Sequence, residues 1–265
     1  PQDRKIDVVI HVGDFIYENV GGNPTGLHGR EVELAYLDGS PRRIGEFPSG
    51  AEGRARTLDD YRHLYKTYLS DPDLQEVRAR FPFVHTWGDH ELVNDYWQAF
   101  AGTRSLQSLK VDINQVWFEY IPAALSTAPA GPGGPNPARD FIRPEVEDAP
   151  AGDFDDDYLS REPNTVAATR SMTIYRSLPW GRMVDLFVVD GRSYRGERGL
   201  DASMLGTASI GYPRAPVPAA LVRTFNAGRT ANGGNPPATV EYQGEAIPNA
   251  RRNAPRGSML GTAQK

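Results

Sequence analysis

The first segment whose residue types could do chemistry is Gly-Asp-Phe-Ile-Tyr-Glu at residues 13–18, directly after the apolar run 6–12. Asp14 offers carboxylate oxygens, the donors that hard and borderline cations prefer, and a Tyr17 phenolate would suit a ferric ion. Gly13 permits the sharp turn that would expose both side chains. The segment therefore predicts a metal ligand at Asp14, and a plain turn after a strand is the alternative.

A second segment of this kind, Gly-Asp-His-Glu at residues 88–91, follows the apolar run 83–87. Asp89 could bind a metal ion, and His90 could stabilise or protonate a phosphoryl oxygen. Glu91 could orient the His90 ring without binding the metal itself. The segment thus predicts a catalytic His90 beside a metal-binding Asp89, and the alternative is a capped turn with a structural histidine.

A third acid-bearing turn, Asp-Gly-Arg-Ser-Tyr-Arg at residues 190–195, follows the apolar run 183–189. The Arg192 guanidinium is a planar set of donors that suits a phosphate group. A structural salt bridge between Asp190 and Arg192 would explain the pair without catalysis. Three such turns together favour one shared site, because ligands of open α/β sheets bind beyond the carboxyl ends of the strands.

The three apolar runs, 6–12, 83–87 and 183–189, are short and rich in β-branched and aromatic residues. This composition predicts buried strands. Helical sequence lies between them, and alternating strands and helices are typical of an α/β domain. We therefore expect an α/β fold with a central sheet whose strand ends carry the acidic turns.

Local signals also locate the helices. Thr57 and Asp60 form a capping box ahead of an apolar stripe, which predicts a helix start. Ser70, with Asp73 three positions on, predicts a second start. A further apolar stripe at residues 109–120 stops before a proline, so a helix should end there.

Two stretches are expected to be loop-rich. Residues 123–168 abound in Pro, Gly and Ala and predict a surface insertion, whose acidic run at 153–157 fits a solvated loop better than a cation site. Residues 206–265 are again loop-like. The hexapeptide Ser-Met-Leu-Gly-Thr-Ala occurs at 203–208 and at 258–263, but one such echo is not a repeat architecture.

Composition limits the class of protein and its partners. A chain of 265 residues can bury a substantial core. The net charge of -5 and a pI near 5.6 argue against polymeric nucleic acid as the main partner. No apolar run approaches the roughly 18 residues that span a bilayer, so no transmembrane segment is expected. The absence of cysteine excludes disulfides and thiolate ligands within the chain but does not decide the compartment.

Taken together, these segments resemble the PhoD-like alkaline phosphatase/phosphodiesterase family of metallophosphoesterases. Residues 13–18 are similar to its Gly-Asp-x-Ile-Tyr-Glu box, residues 87–91 to its Trp-Asp-Asp-His-Glu segment, and residues 189–195 to its Asp-Thr-Arg-x-Tyr-Arg strand. Residues 58–75 and 117–122 are similar to its linking and following helices. The matches occur in the family's order and cover most of the chain outside the loop-rich stretches.

The resemblance implies a partial αββα-type layered fold and a dimetal or trimetal site with iron (Fe3+) and calcium. Asp14 would bridge two ions, Tyr17 would bind the ferric ion and Asp89 would be a further ligand. His90 would face the phosphoryl group, and we expect Arg192 to bind it as well. The implied reaction is hydrolysis of small phosphate monoesters or diesters by a metal-bound hydroxide. A secreted or periplasmic location is implied too.

Some features of the sequence differ from the family pattern. Gly88 and Gly191 replace a family aspartate and threonine. The resemblance also leads us to expect a first metal-binding strand before residue 1 and further acid and histidine ligands after residue 265, so the isolated chain should be a poor phosphatase. The rival interpretations are another metal-dependent hydrolase and a degenerate, non-catalytic binding domain, which metal content would distinguish.

Overall fold

A computed structural model describes residues 6–20, 34–35, 41–42, 53–123, 140–155, 157–197 and 235–249, and scattered residues at 220, 223–225, 227–228, 252, 260 and 264. The helices are α1 (Leu58–Leu69), α2 (Pro72–Arg80), α3 (Gln107–Tyr120) and α4 (Pro163–Arg170). The strands are β1 (Val9–His11), β2 (Asn19–Val20), β3 (Leu34–Ala35), β4 (Pro41–Arg42), β5 (Gly53–Arg54), β6 (Phe83–His85), β7 (Phe100–Ala101), β8 (Arg104–Ser105), β9 (Arg176–Trp180), β10 (Val184–Val188), β11 (Thr239–Tyr242) and β12 (Glu245–Pro248). No helix of the described chain is long and apolar enough to cross a bilayer.

The first two predicted strands pair in parallel. β1 and β6 align with Val9 opposite Phe83 and His11 opposite His85. The chain between them forms α1 and α2, as a parallel connection requires. Both strands therefore point the same way, and the turns that follow them emerge at the same edge.

The third predicted strand, β10, pairs with β9 in an antiparallel hairpin through Gly181, whose φ is 64°. No described ladder joins this hairpin to β6, so the expected central sheet is not formed by the described strands. The hairpin instead contacts the end of β6 through side chains: Thr86 Oγ1 donates to Val189 O at 3.0 Å, and Arg176 Nη2 donates to His85 O at 3.0 Å. The mixed helices and small sheets still confirm an α/β composition.

The prediction that these strands are buried is wrong for much of their length. Ile10 is 51% exposed, Val12 is 78% exposed and Phe187 is 72% exposed, while His85 and Val188 are buried. The described sheets have two strands each, so helices and neighbouring loops cover only one face. The apolar runs indicated strands correctly but did not indicate how many faces are covered.

The main core lies between α1, α3 and the ends of β1 and β6. Apolar side chains at helical spacing on α1 and α3 face one another, which is how amphipathic helices bury their stripes. Bidentate contacts of Arg62 with Glu119 join the same two helices at 2.8 and 2.6 Å. The fully or nearly fully buried members include Ile16, Tyr61, Leu64, Tyr65, Trp87, Leu92, Tyr96, Ile113, Val116 and Trp117.

Of the two helix starts predicted from capping residues, one is confirmed and the other is displaced by one residue. Thr57 is the N-cap of α1, and its capping box with Asp60 has both hydrogen bonds, as predicted. Ser70 does not start α2; it is the C-cap of α1, and Asp71 caps α2 by accepting from Leu74 N at 2.8 Å. Asp71 stands immediately before Pro72 at the first helical position, which proline favours, so the helix begins one residue later than predicted.

The predicted insertion is partly ordered. Its segment 140–150 lies along α3, where the Gln107 side chain exchanges hydrogen bonds with the backbone of Ala149 at 2.7 and 3.2 Å. Its final part is α4 rather than loop, because Glu162 caps the backbone amides of the first turn. In the acidic run, Asp153 is exposed, and Asp155 Oδ1 accepts from the backbone of Asp157 and Leu159.

Within residues 206–265, the hairpin β11–β12 departs from the expected loop. The hexapeptide at 203–208, most of its copy at 258–263 and His28 lie outside the described residues.

Replacing Thr57 with Ala should destabilise the fold, because loss of the capping hydroxyl leaves the Asp60 amide without its partner. The expected loss in the free energy of unfolding is about 1 kcal/mol. Denaturant unfolding of both proteins measures it. Thr67→Ala is the matched control, since its hydroxyl bonds within the same helix to His63 O. An equal loss in both variants would contradict a capping role.

Candidate metal centre

The structure brings Asp14, Asp89 and His90 together beyond the ends of β1 and β6. One ligand atom from each lies within 4.8 Å of the others. This is the edge at which parallel strands deliver their following turns. Asp14 adopts a φ of 55°, the left-handed conformation that aspartate tolerates better than most residues. The tight turn thus carries the Asp14 carboxylate across to the turn after β6.

Two glycines allow the turns to touch. A Cβ atom on Gly13, whose φ is 108°, would lie 2.2 Å from Gly88 N. A Cβ atom on Gly88 would lie 2.1 Å from Asp14 Oδ1. No side chain fits at those separations without moving the backbone or the carboxylate. The glycine that replaces the family aspartate at position 88 is therefore required by this arrangement of Asp14.

Glu91 does not orient His90, which corrects that prediction. Its buried carboxylate accepts hydrogen bonds from the backbone of Asp14 at 3.1 Å, Phe15 at 2.5 Å and Gly88 at 2.6 Å. Burial raises the pKa of Glu91 to about 7, although these hydrogen bonds act in the opposite direction. Glu91 therefore joins the two turns through their amides and does not reach the imidazole.

The residue that orients His90 is Glu18, which is 0% exposed. Its Oε2 lies 2.7 Å from His90 Nδ1, and its Oε1 accepts from Asn94 N at 2.9 Å. The contact uses Nδ1 and leaves Nε2 as the nitrogen for a metal ion or a phosphoryl oxygen. Sequence reasoning missed this role, although Glu18 closes the same box as Asp14 and Tyr17.

Tyr17 packs against His90, with ring centroids 4.3 Å apart and planes inclined by 32°. Burial raises the pKa of Tyr17, and the carboxylates of Asp14, Asp89 and Glu91 raise it further. The protein alone therefore keeps the phenol protonated. A phenolate ligand at Tyr17 would need the positive charge of a bound cation beside it.

Arg192 contacts the centre directly, since its Nη2 lies 3.1 Å from Asp89 Oδ1. Its other terminal nitrogen, Nη1, is buried and has no hydrogen-bond partner among the described residues. The alternative salt bridge with Asp190 is not formed. Asp190 Oδ1 instead accepts from the backbone of Arg192 at 3.0 Å and of Ser193 at 2.8 Å, which shapes the turn that carries the guanidinium.

The residues present fit a cation. Two carboxylates and one imidazole form a donor set that suits iron, manganese or zinc, and carboxylate oxygens also suit calcium. The unpartnered Arg192 nitrogen is a buried donor that an anion beside the cation would satisfy. The site can therefore hold a metal ion and a phosphate group next to each other.

The chain is similar in sequence to known phosphatases. A family model described as PhoD-like phosphatase matches residues 1–265. Alkaline phosphatase D of Bacillus subtilis (strain 168) is 25% identical over 199 residues, which cover 74% of this chain and 25% of that protein. A solved structure titled "Structure of PhoD" is similar at 26% identity with a TM-score of 0.42, covering 73% of this chain and 28% of that one. The chain thus spans about a quarter of the length of these relatives.

Replacing Glu18 with Gln should lower the pKa of His90. Burial by itself lowers that pKa, but the hydrogen bond and charge of Glu18, with Asp89 and Asp14, raise it above 6.5 overall. The His90 contribution to stability is therefore fully present below pH 6.5 and is lost as pH rises through the raised pKa. NMR titration of the metal-free protein measures the change, and Glu76→Gln, at an exposed partner of Arg80, is the control. A His90 pKa that is the same in Glu18→Gln and in the wild type would refute this assignment.

Proposed function

This chain belongs to the PhoD-like phosphatase family, and from that premise we propose that it supplies metal ligands and phosphoryl-binding groups to a phosphoester hydrolase. The observation that carries the proposal is the convergence of Asp14, Asp89 and His90 with a buried, unpartnered nitrogen of Arg192. A metal-binding cluster beside a free guanidinium donor is what hydrolysis of a phosphate ester needs. The activity proposed is that of the whole protein.

We assign the metal ligands to Asp14, Asp89 and, for the ferric ion, Tyr17. Iron and calcium are the metals proposed, within a dimetal or trimetal site. Bound metal ions would supply Lewis-acid activation of water and would neutralise charge on the phosphoryl oxygens. The protein's own part is to fix the two turns through Glu91, so that both carboxylates face one point.

Arg192 and His90 are assigned to the phosphoryl group. The contact of Arg192 with Asp89 anchors one edge of the guanidinium and leaves Nη1 as a donor for a phosphoryl oxygen. Glu18 accepts the Nδ1 proton of His90 and stabilises the imidazolium, and this charged form can present an Nε2 proton to the developing charge or to the leaving oxygen. His90 would bind the transition state more strongly than the ground state, because negative charge on the leaving oxygen increases along the reaction. Arg192 would hold the phosphoryl group in position by its guanidinium donors.

Small phosphate monoesters and diesters are the proposed substrates. The net charge of -5 supports a small ester rather than polymeric nucleic acid. The proposal includes an αββα-type layered fold for the whole protein and a location outside the cytoplasm.

His90→Asn in the whole protein should lower kcat by about 10²-fold without removing metal, because it deletes one acid/base and electrostatic group. Asp14→Ala should instead remove both bound metal and activity. Turnover of p-nitrophenyl phosphate and bis-p-nitrophenyl phosphate, with elemental analysis, separates the two effects. Asp73→Asn, on exposed α2, is the control. Wild-type protein that holds no metal and turns over neither ester would refute the proposed function and leave a binding domain.

Tyr17→Phe should abolish a visible phenolate-to-iron charge-transfer band in the iron-loaded protein, since the phenol oxygen is the proposed ferric ligand. The absorption spectrum of each protein measures it, with iron content determined on the same samples. Tyr242→Phe, at a tyrosine on β11, is the matched control and should retain the band. A wild-type spectrum without such a band at full iron content would show that Tyr17 is not a ferric ligand.

A further inference from the structure

Lys110 on α3 is a buried lysine that the proposed chemistry does not use. It is 1% exposed. Its Nζ lies 4.1 Å from the centroid of the Trp87 ring and 5.1 Å from that of the Tyr96 ring, and 3.4 Å from the Tyr96 hydroxyl. The ammonium group is thus held by two aromatic residues that flank the turn carrying Asp89 and His90.

No carboxylate pairs directly with this ammonium among the described residues. The charged groups that act on it are the buried carboxylates of Asp190 and Glu91. Burial lowers the pKa of Lys110 to about 8, and those two carboxylates oppose the change. A buried cation without an ion pair is costly, so an apolar side chain of similar length would fill this space at lower cost. The lysine at position 110 therefore indicates a role other than packing.

Both aromatic partners of Lys110 are connected to Asp89 through short chains of contacts. Trp87 Nε1 donates to Asp190 Oδ1 at 2.8 Å, and the same oxygen accepts from the backbone of Arg192. Arg192 in turn contacts Asp89. On the other side, Tyr96 follows Asp95, whose backbone N donates to Asp89 Oδ2 at 2.6 Å. Movement of either ring would therefore displace groups that contact the Asp89 carboxylate.

We propose that Lys110 is a positioning residue: its ammonium group, bound to the faces of Trp87 and Tyr96, fixes segments 87–91 and 190–193 relative to each other and keeps Arg192 paired with Asp89. The cation attracts the negative faces of both rings and the two buried carboxylates behind them. The expected effect of Lys110 on kcat rests on the proposed function. Its expected effect on the position of Trp87 is independent of that function.

Lys110→Met tests the proposal because it keeps most of the length of the side chain and removes the charge. Positioning predicts a kcat about 10-fold to 100-fold lower, the usual cost of losing a supporting contact. It also predicts a melting temperature that is unchanged or higher, since apolar replacements of buried charges are often stabilising. A purely structural lysine predicts the opposite, a lower melting temperature with an unchanged kcat. Lys66→Met, on the exposed face of α1, is the control.

A second readout needs no turnover. In Lys110→Met, the indole N–H signal of Trp87 should shift in the NMR spectrum as its bond to Asp190 adjusts, while the signal of Trp180 on β9 should stay in place. Lys110→Arg retains a cation for the rings and should keep both kcat and the Trp87 signal close to wild type. If the wild type turns over no ester but Lys110→Met still moves the Trp87 signal, the proposed function fails and the positioning role stands. A Trp87 signal that is the same in wild type and Lys110→Met overturns the role of Lys110, and so does an unchanged kcat in that variant when the wild type is active.

Discussion

The arrangement of the centre depends on one buried carboxylate that is not among the proposed metal ligands. Glu91 accepts the backbone N–H groups of Asp14, Phe15 and Gly88, and so joins the turn after β1 to the turn after β6. Without this acceptor, the buried Phe15 amide would cost about 1–3 kcal/mol as an unsatisfied donor. The positions of the Asp14 and Asp89 carboxylates therefore follow from amide hydrogen bonding, and the proposed metal would bind to a site that is already organised.

The same contact sets the steric requirements of the neighbouring residues. Because Glu91 draws the two turns together, Gly13 and Gly88 approach to distances that exclude a Cβ atom at either position. Asp14 must then adopt a positive φ, which costs an aspartate less than it would a bulky residue. A local strain at the site is thus held by long-range hydrogen bonds between segments more than seventy residues apart.

Sequence patterns predicted what is local and repetitive. The capping box at Thr57 and the parallel pairing of β1 with β6 follow from side-chain spacing and from the rule for α/β connections. The roles of Glu18 and Glu91 could not be separated in this way, because both glutamates end acidic boxes and only the fold decides which one reaches His90. Lys110 gave no signal at all, since a lysine on a helix is ordinarily exposed. Strand burial was predicted wrongly because an apolar run indicates a strand but not whether one or both of its faces are covered.

Most charged groups at the centre are already paired among the residues that the structure describes, and the few that are not paired there are the ones available to a ligand. The buried carboxylates at the centre each accept at least two hydrogen bonds or ion-pair contacts from the protein, and they are Glu18, Asp89, Glu91 and Asp190. Asp14 accepts one long bond, from His90 N at 3.3 Å, within the described residues. The Nη1 atom of Arg192 is similarly left without an acceptor in the described part of the chain. The least compensated of these carboxylates and an uncompensated donor thus both lie close to Asp89, and a cation bound to a phosphate group would satisfy both at once.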